Sequence, residues 1–576
     1  MAKWETSKSI KDIITKIRED EIVLPVMQRR FVWDTDSMEL LFDSLLKGNS
    51  FGAIICIEEE KDSTPLFDSR RFSLDGKDID SISIDNPLSK TQWFVIDGQQ
   101  RLQSFYIGLV GNYKGKRLYF DLFSDYSEEE YIFVFAEDES KIRLKSEDNE
   151  RFENGGLKKR LWYPACELYE RLKSSGDDYS AVSDKIIDDK SISNKLEEKH
   201  IEKNIRTFYN KTCEPNTIGI SLVSVNKSKD NQLFENRERM IELFRRLNQG
   251  GTVLSASDLI ASKLKGMDPE MEKFLDKITA EYSNIGIGQP ELIKLILILG
   301  DKTSFSAKDV SDITKDDVTF ASDNKVKVEE TLIALKEFLK ASRNYSWFEL
   351  CGNRTAIPLY FLAYHIFHSG IETNQLKNMW VKFETDPNFE NMSRWLRLSL
   401  LNRVFSAYRG WRPNTTGVRK IHEVLERYKG KEFPVNEIYK VYEERLNSFH
   451  HIEAEYLDTF DKEYIFYLVY SVRMNRDEDI DHIHPRTLLE QRYNEKYWDS
   501  IVNKQKKDMS TNRGSKSGKE YGTWLKNEFP DEKDRKEELD MHLIPHDENL
   551  WRSANFHPDF YEARADLLVE KLLQYR

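Results

Sequence analysis

Cysteine, long apolar runs and a phosphate-binding glycine loop are what this chain has least of, and each shortage narrows its class. Four cysteines occur in 576 residues (Cys56, Cys166, Cys213 and Cys351), and no two form a C-x-x-C pair. That argues against a disulfide framework or a cysteine-based zinc site and fits reduced thiols in a cytoplasmic protein. The longest apolar runs, FGAIICI (51–57) and LIKLILIL (292–299), fall well short of the roughly 18 residues that suggest a membrane span. The opening MAKWETSKSIKDII has no apolar run of the signal-peptide kind. A soluble, intracellular protein with no membrane partner is expected. The nearest thing to a P-loop, GSKSGKE (514–520), has three residues between its glycines where the motif has four, and Glu520 where it needs Ser or Thr. No repeat of solenoid period is present.

What is present suits a multidomain globular protein. Apolar content is 39% and aromatic content 12%, which rules against wholesale disorder. The length accommodates two to four domains. Net charge is −13, yet the charges are segregated. Residues 121–150 carry eleven acids against three bases, whereas residues 391–420 carry seven bases and no acid. A mean charge therefore does not exclude a nucleic-acid partner.

The first 265 residues mix strands and helices. Strands are expected at 52–59, 92–96, 117–123, 131–137 and 219–225, from their β-branched and aromatic content. A helix is expected over 35–48, stopped by Gly48. Residues 170–205 alternate charge with sparse apolar positions and read as an exposed helical excursion. Residues 266–450 read as a helical connector or bundle. The remainder, 451–576, forms a third domain, and seven of the eleven histidines lie from residue 450 onward. The polar stretch 503–539 is expected to be partly disordered.

The most informative stretch is 477–520. It holds an Asp481-His482 pair on a short strand closed by Pro485, then Asn503 and Asn512, the second among Arg513, Lys516 and Lys519. Cutting a phosphodiester needs a base to activate water and a divalent cation to take up charge on the leaving oxygen. His482 offers the base, and Asp481 and Asn512 offer the hard oxygen ligands that Mg²⁺ or Mn²⁺ prefers. Most Asp-His pairs only cap a strand. Here, however, D-H-I-x-P, a gap of about twenty residues, N-K, and N-R-G-x-K nine residues past that Asn resemble the ββα-metal (HNH) nuclease motif. The resemblance implies His482 as general base, Asp481 and Asn512 as metal ligands, and Asn503 as the residue that orients the base or steadies the loop. His484, two residues from His482, should share its face and reads as packing rather than as a third ligand.

Three N-terminal motifs remain. LPVMQRRFVWDTD (24–36) sets Gln28, Arg29 and Arg30 between apolar anchors. IDGQQRLQSF (96–105) turns from a strand through Asp97-Gly98 into a helix that starts with Gln99, Gln100 and Arg101, an arrangement suited to anions. LFRRLNQGGTVLSASDL (243–259) ends a helix at Asn248, turns through Gly250-Gly251 and starts another with Ser255 or Ser257 as cap. Each read alone is an ordinary corner. Together and in this order they resemble the N-terminal, ParB/sulfiredoxin-like domain of GmrSD-type modification-dependent (type IV) restriction enzymes, whose C-terminal domain is of the HNH kind. HLIPHDENLWRSANFHPDFYEARADLLVEKL (542–572) fits that family's closing segment, with Phe560 and Arg564 leading into a final helix. The resemblance implies that Asp97, Gly98, Gln99, Gln100 and Arg101 serve a nucleoside triphosphate, with Gln28, Arg29 and Asn248 near it. It also implies DNA, phage-derived and in some cases modified, as the partner. Met27 stands where relatives often carry an aromatic residue, which makes it a candidate contact for a DNA modification.

The basic stretch 391–420 interleaves arginines with aromatics, and Arg394, Arg397, Arg409 and Arg412, with Arg513 and Lys516, are candidate DNA contacts. A surface helix with snorkelling arginines is the other reading. The expected fold is multidomain α+β: a ParB-like α/β N-terminal domain (1–265), a helical middle (266–450) and an HNH nuclease embedded in helices (451–576). The expected activity is nucleotide-regulated, metal-dependent cleavage of foreign DNA. Two rivals stay open: a ParB-like DNA-binding regulator with a decayed nuclease, and an HNH-type RNase. Monomer and homo-oligomer are both open as well.

Overall fold

The computed structural model of the chain describes residues 2–49, 52–77, 87–124, 131–142, 160–176, 178–215, 217–224, 233–248, 255–268, 270–303, 313–350, 356–405, 417–442, 452–470, 478–508, 511 and 514–574. The chain divides into two compact units, Met1–Glu272 and Lys273–Arg576. Both are mixed or helical, as expected of a multidomain α/β protein.

Among the described residues of the first unit, nine strands are interspersed with helices: β1 (Ala2–Lys8), β2 (Ile22–Pro25), β3 (Ile54–Glu59), β4 (Ser69–Arg70), β5 (Gln92–Asp97), β6 (Arg117–Asp121), β7 (Phe133–Ala136), β8 (Trp162–Pro164) and β9 (Ile218–Ser224). All five expected strands are here. The four others are short or sit outside strong β-branched runs, so local composition did not mark them. Six strands form one sheet in the order β1-β9-β3-β5-β2-β4. Within it β2 runs parallel to β5 and β3 to β9, and the remaining pairs are antiparallel. A second, antiparallel sheet has the order β7-β6-β8.

Helix boundaries in this unit follow local capping chemistry. Helix α1 (Ile10–Arg18) begins at a capping box in which Ser9 and Asp12 bond each other's backbone N–H at 3.0 Å, and Ile10, Ile13, Ile14 and Ile17 face the core. Helix α2 (Thr35–Lys47) starts at Asp34 and stops at Gly48, whose φ of 75° is left-handed. The described part of 170–205 is helical and largely exposed, as expected, with Leu172, Val182, Ile186, Ile201 and Ile205 turned inward. Helix Lys195–Thr212 buries Ile201, Asn204, Ile205, Phe208, Tyr209 and Thr212, because its sparse apolar positions fall on one stripe.

The second unit opens with helices. In Ile357–Phe367 every residue is buried. The long apolar run at 292–299 lies in helix Gln289–Leu299 and is buried at every position but Lys294. Among the described residues no helix is long and apolar enough to cross a membrane. Cys56, Cys166 and Cys213 form no disulfide. Further on come a two-stranded sheet, β10 (Glu478–His482) with β11 (Lys504–Asp508), and helices Tyr521–Glu528, Glu532–Met541 and Tyr561–Leu573. Much of 503–539 is therefore regular structure. Its charged helices are held by buried residues such as Trp524, Leu525 and Leu539.

Candidate functional site

The hairpin β10–β11 is antiparallel, with Asp481 opposite Gln505 and His482 opposite Lys504. Its sequences, EDIDH and KQKKD, carry little apolar material, and an isolated two-stranded hairpin is marginal in water. Two side chains from outside brace it. Arg564, 1% exposed on the final helix, donates to the carbonyls of Ile501 (3.2 Å), Val502, Lys504 (2.9 Å) and His542 (3.1 Å). Asn503, fully buried, accepts from His484 N–H at 2.9 Å and donates to the carbonyls of His484 (3.1 Å) and Trp498 (2.9 Å). The Asn503 amide thus holds main chain; the bonds it makes steady the loop.

His482 ends β10. Its Nε2 lies 3.2 Å from Oδ1 of Asp499, and Lys504 Nζ lies 2.8 Å from the same carboxylate oxygen. Burial pulls the imidazole below its ordinary pKa, and Asp499 offsets part of that. The ring is therefore neutral near pH 7, as a base must be. Burial would raise Asp499, but its bonds to Lys504 and His482 outweigh it and hold the carboxyl below its ordinary range. With Nε2–H donated to Asp499, Nδ1 carries the lone pair. Sequence reasoning missed Asp499: it sits in YWDS, outside any motif, and only the excursion between the strands, residues 483–503, brings it back.

Asp481 faces the other side of the hairpin. Its Oδ2 accepts from Lys516 Nζ at 2.5 Å and from Gln505 Nε2 at 3.1 Å, and Lys516 also donates to the His482 carbonyl. Lys516 is 2% exposed, and burial lowers its pKa. The expectation that it contacts DNA is not met: the lysine is turned inward onto Asp481. Asn512 and Arg513 lie outside the described residues. Among the described residues no group of three or more His, Cys, Asp or Glu side chains could hold a metal ion.

His484 does not share a face with His482, because the strand ends at His482 and the chain bends before Pro485. It is fully buried against Tyr521, Phe556 and Phe560, and burial pushes its pKa down to about 3. It fills the core as a neutral ring. Behind the hairpin, Lys507 pairs with Glu538, His542 Nε2 lies 3.2 Å from Glu538, and His542 Nδ1 lies 2.8 Å from Tyr470 OH.

In the first unit the first two motifs meet at the end of β5. Gly98, with φ of 92°, caps helix α3 (Gln99–Val110). Gln28, 4% exposed, donates to the carbonyls of Val95 (3.0 Å) and Ile96 (2.6 Å). Gln99 donates to Arg29 O at 2.8 Å, while Gln100 donates to Arg30 O at 3.3 Å and accepts from Val32 N at 3.0 Å. These amides sew one motif to the other. Arg101 reaches Asp97 at 3.3 Å and Ala53 O at 3.2 Å. Gln99 Oε1 is buried with no hydrogen-bond partner among the described residues. The third motif ends helix Leu233–Asn248, which packs beside β5. The following helix is capped by Ser255, which accepts from Asp258 N at 3.1 Å. Nothing is described of the Asn248 side chain or of Gly250-Gly251.

Two expectations are corrected. Met27 is 1% exposed, so it packs in the core and presents nothing to DNA. Arg394 and Arg397 lie on helix Pro387–Leu401, most of whose residues are buried, including Trp395; Arg397 donates to Ser342 O at 3.1 Å. Both arginines are half-buried packing residues and not an exposed track. Arg409 and Arg412 lie outside the described residues.

Residues 10–265 match the family described as "GmrSD restriction endonuclease, N-terminal domain", a span that holds all three N-terminal motifs. The match supports the GmrSD family for this part of the chain. Over 103 residues the chain is 32% identical to the "Uncharacterized protein MJ0686" of Methanocaldococcus jannaschii, covering 18% of this chain and 17% of that protein. The shared part is thus under a fifth of either.

Proposed function

We propose that this protein is a GmrSD-type restriction enzyme: a metal-dependent DNA endonuclease or nickase whose N-terminal domain binds and hydrolyses a nucleoside triphosphate and licenses cleavage of foreign, modified DNA. The observation that carries the nuclease reading is the pairing of a neutral His482, held by Asp499, with an Asp481 seat across the same strand. That seat already holds a cation, the Lys516 ammonium, between a carboxylate and a carbonyl oxygen. Such oxygen donors suit Mg²⁺ or Mn²⁺, so Asp481 with Asn512 would hold the ion. Bound there, the ion supplies charge neutralisation at the leaving oxygen.

His482 does the proton work. Its Nδ1 takes a proton from water as the water oxygen bonds to phosphorus and the P–O bond to the leaving oxygen breaks. Asp499 fixes the ring and stabilises the imidazolium that forms. In the first unit, the start of α3 with the Arg101 guanidinium beside it supports the nucleotide reading, since a helix N-terminus favours phosphate. The hairpin offers lysines but few groups to read base edges, so discrimination of the target falls to the rest of the chain.

The test is plasmid, phage DNA and RNA incubated with wild type, His482→Ala and Arg101→Ala, with and without Mg²⁺ or Mn²⁺ and each NTP. His482→Ala should lose about 10²–10⁴ in cleavage rate, and chelator should stop wild type. Arg101→Ala should lose NTP hydrolysis with Mn²⁺ binding at the nuclease site intact, and cells carrying either variant should lose protection against phage. Full cleavage in chelator would sink the metal assignment. NTP neither bound nor hydrolysed by wild type, with or without DNA, would sink the nucleotide role. Cleavage of RNA alone would make the protein an RNase.

A further inference from the structure

The Asp481 carboxylate is not waiting open for a cation. Lys516 Nζ lies 2.5 Å from its Oδ2 and also bonds the His482 carbonyl, with Gln505 Nε2 3.1 Å from the same carboxylate oxygen. The Lys516 side chain is 3% and the Asp481 side chain 11% exposed, so the pair is shielded from water and its attraction is little screened. Lys516 belongs neither to a helix nor to a strand. It sits in the turn segment 514–519, tied by Lys516 N to Thr511 O (3.1 Å) and Lys519 N to Lys516 O (3.0 Å), with Gly518 at φ 68° and open space around it. Ser515 is held as well, by Lys519 Nζ on its carbonyl (2.6 Å) and Trp524 Nε1 on its hydroxyl (3.1 Å), but none of these bonds belongs to a ladder, so the ammonium can leave its seat without breaking one.

We propose that Lys516 is an internal counter-ion that occupies the Asp481 seat in the metal-free protein and must be displaced by the divalent cation. The inference rests on the reading of Asp481 as the metal ligand. A divalent ion and an ammonium on one carboxylate repel strongly in a partly dry site, so loading the ion expels the lysine. The same lysine keeps a buried carboxylate paired when metal is scarce, where an unpaired one is costly. The site is thereby structured but idle without metal, and the metal concentration needed to switch it on is set by Lys516. A purely supporting lysine, holding Asp481 in position for the ion, predicts the opposite sign.

The test is Mn²⁺ binding to the full chain, read by loss of the free-ion electron paramagnetic resonance signal, for wild type, K516M, K516Q, D481N and D481N/K516M. Thermal melts are run on each with and without Mn²⁺. K516M and K516Q should bind Mn²⁺ on the order of 10- to 100-fold more tightly, the scale on which a ligand's partners move metal affinity. Their melting temperatures without metal should drop, and their gain on adding Mn²⁺ should exceed that of wild type. D481N should abolish this binding in both backgrounds. Affinity unchanged or weakened in K516M, with D481N still abolishing it in wild type, overturns the counter-ion role and leaves the metal reading standing. Binding that D481N does not touch in any background removes the metal reading and the counter-ion role together. A K516M protein that stays unfolded in saturating Mn²⁺ also overturns the proposal, because the ion then does not replace the ammonium.

Discussion

Nε2 of His482 lies 3.2 Å from Oδ1 of Asp499, seventeen residues further along the chain. The contact fixes which ring nitrogen is left for water, and the motif pattern did not reveal it. Asp499→Asn should lower the cleavage rate about 10- to 100-fold, part of the 10²–10⁴ that a base contributes, with Mn²⁺ affinity unchanged. Asp499 raises the pKa of His482 against the effect of burial. Removing its charge should therefore move the acid limb of the pH–rate profile to lower pH while the plateau falls. An acid limb shifted upward, or an unchanged rate, contradicts the assignment.

Arg564 should be indispensable to the hairpin. Its guanidinium, fully buried, serves four carbonyls spread over residues 501–542. Arg564→Met leaves those acceptors without a charged donor and should cost about 3 kcal/mol or more. The cost is read as a lowered unfolding midpoint and as loss of amide protection along β11.

Asp301 ties three helices of the second unit, accepting from Tyr364 OH (2.6 Å) and Lys429 Nζ (2.7 Å), with His422 Nε2 at 3.2 Å. Burial would raise its pKa, but these partners hold it well below the ordinary carboxylate value. A depressed folded pKa stabilises above the unfolded value and loses that stability as pH falls through the folded one. Asp301→Asn should thus cost on the order of 1–2 kcal/mol at pH 7, at the low end for a partly exposed group. The gap to wild type should narrow as pH drops below about 4. A gap that is constant with pH in thermal melts would show that the charge is not what matters.

Gly98→Ala combines two penalties: a left-handed φ of 92° and a Cβ only 2.2 Å from Ile54 Cδ1. Gly115, with φ 88° and open space around it, isolates the first penalty. Gly115→Ala should cost about 1 kcal/mol, and Gly98→Ala a further 1–3 kcal/mol from the clash. Equal losses for the two variants in denaturant titrations would mean that the close approach of β3 to the 97–101 turn is relieved cheaply.

Residue order alone determined the features made by neighbours: the five β-rich strands, the stop of α2 at Gly48, the helix ending at Asn248, and the 97–101 turn from β5 into α3. Capping, left-handed glycines and apolar periodicity act over a few residues, so they are legible without a fold. For the helix after the Gly250-Gly251 turn, two serines read equally well as the cap, and the bond to Asp258 N selected Ser255. Tertiary structure alone decided where the chemistry-bearing side chains point. Lys516 was read as a DNA contact because it lies with Arg513 and Lys519 just after Asn512; thirty-five residues from Asp481, it instead folds back onto that carboxylate. Met27, Arg394 and Arg397 looked available to DNA, yet Met27 is buried, both arginines are half-buried, and Arg397 bonds Ser342 O, fifty-five residues away. Asp499 reached His482 only because Asn503 and Arg564 close the loop between β10 and β11. Partnerships of that kind depend on which remote surface packs against a residue, and no local pattern carries that information.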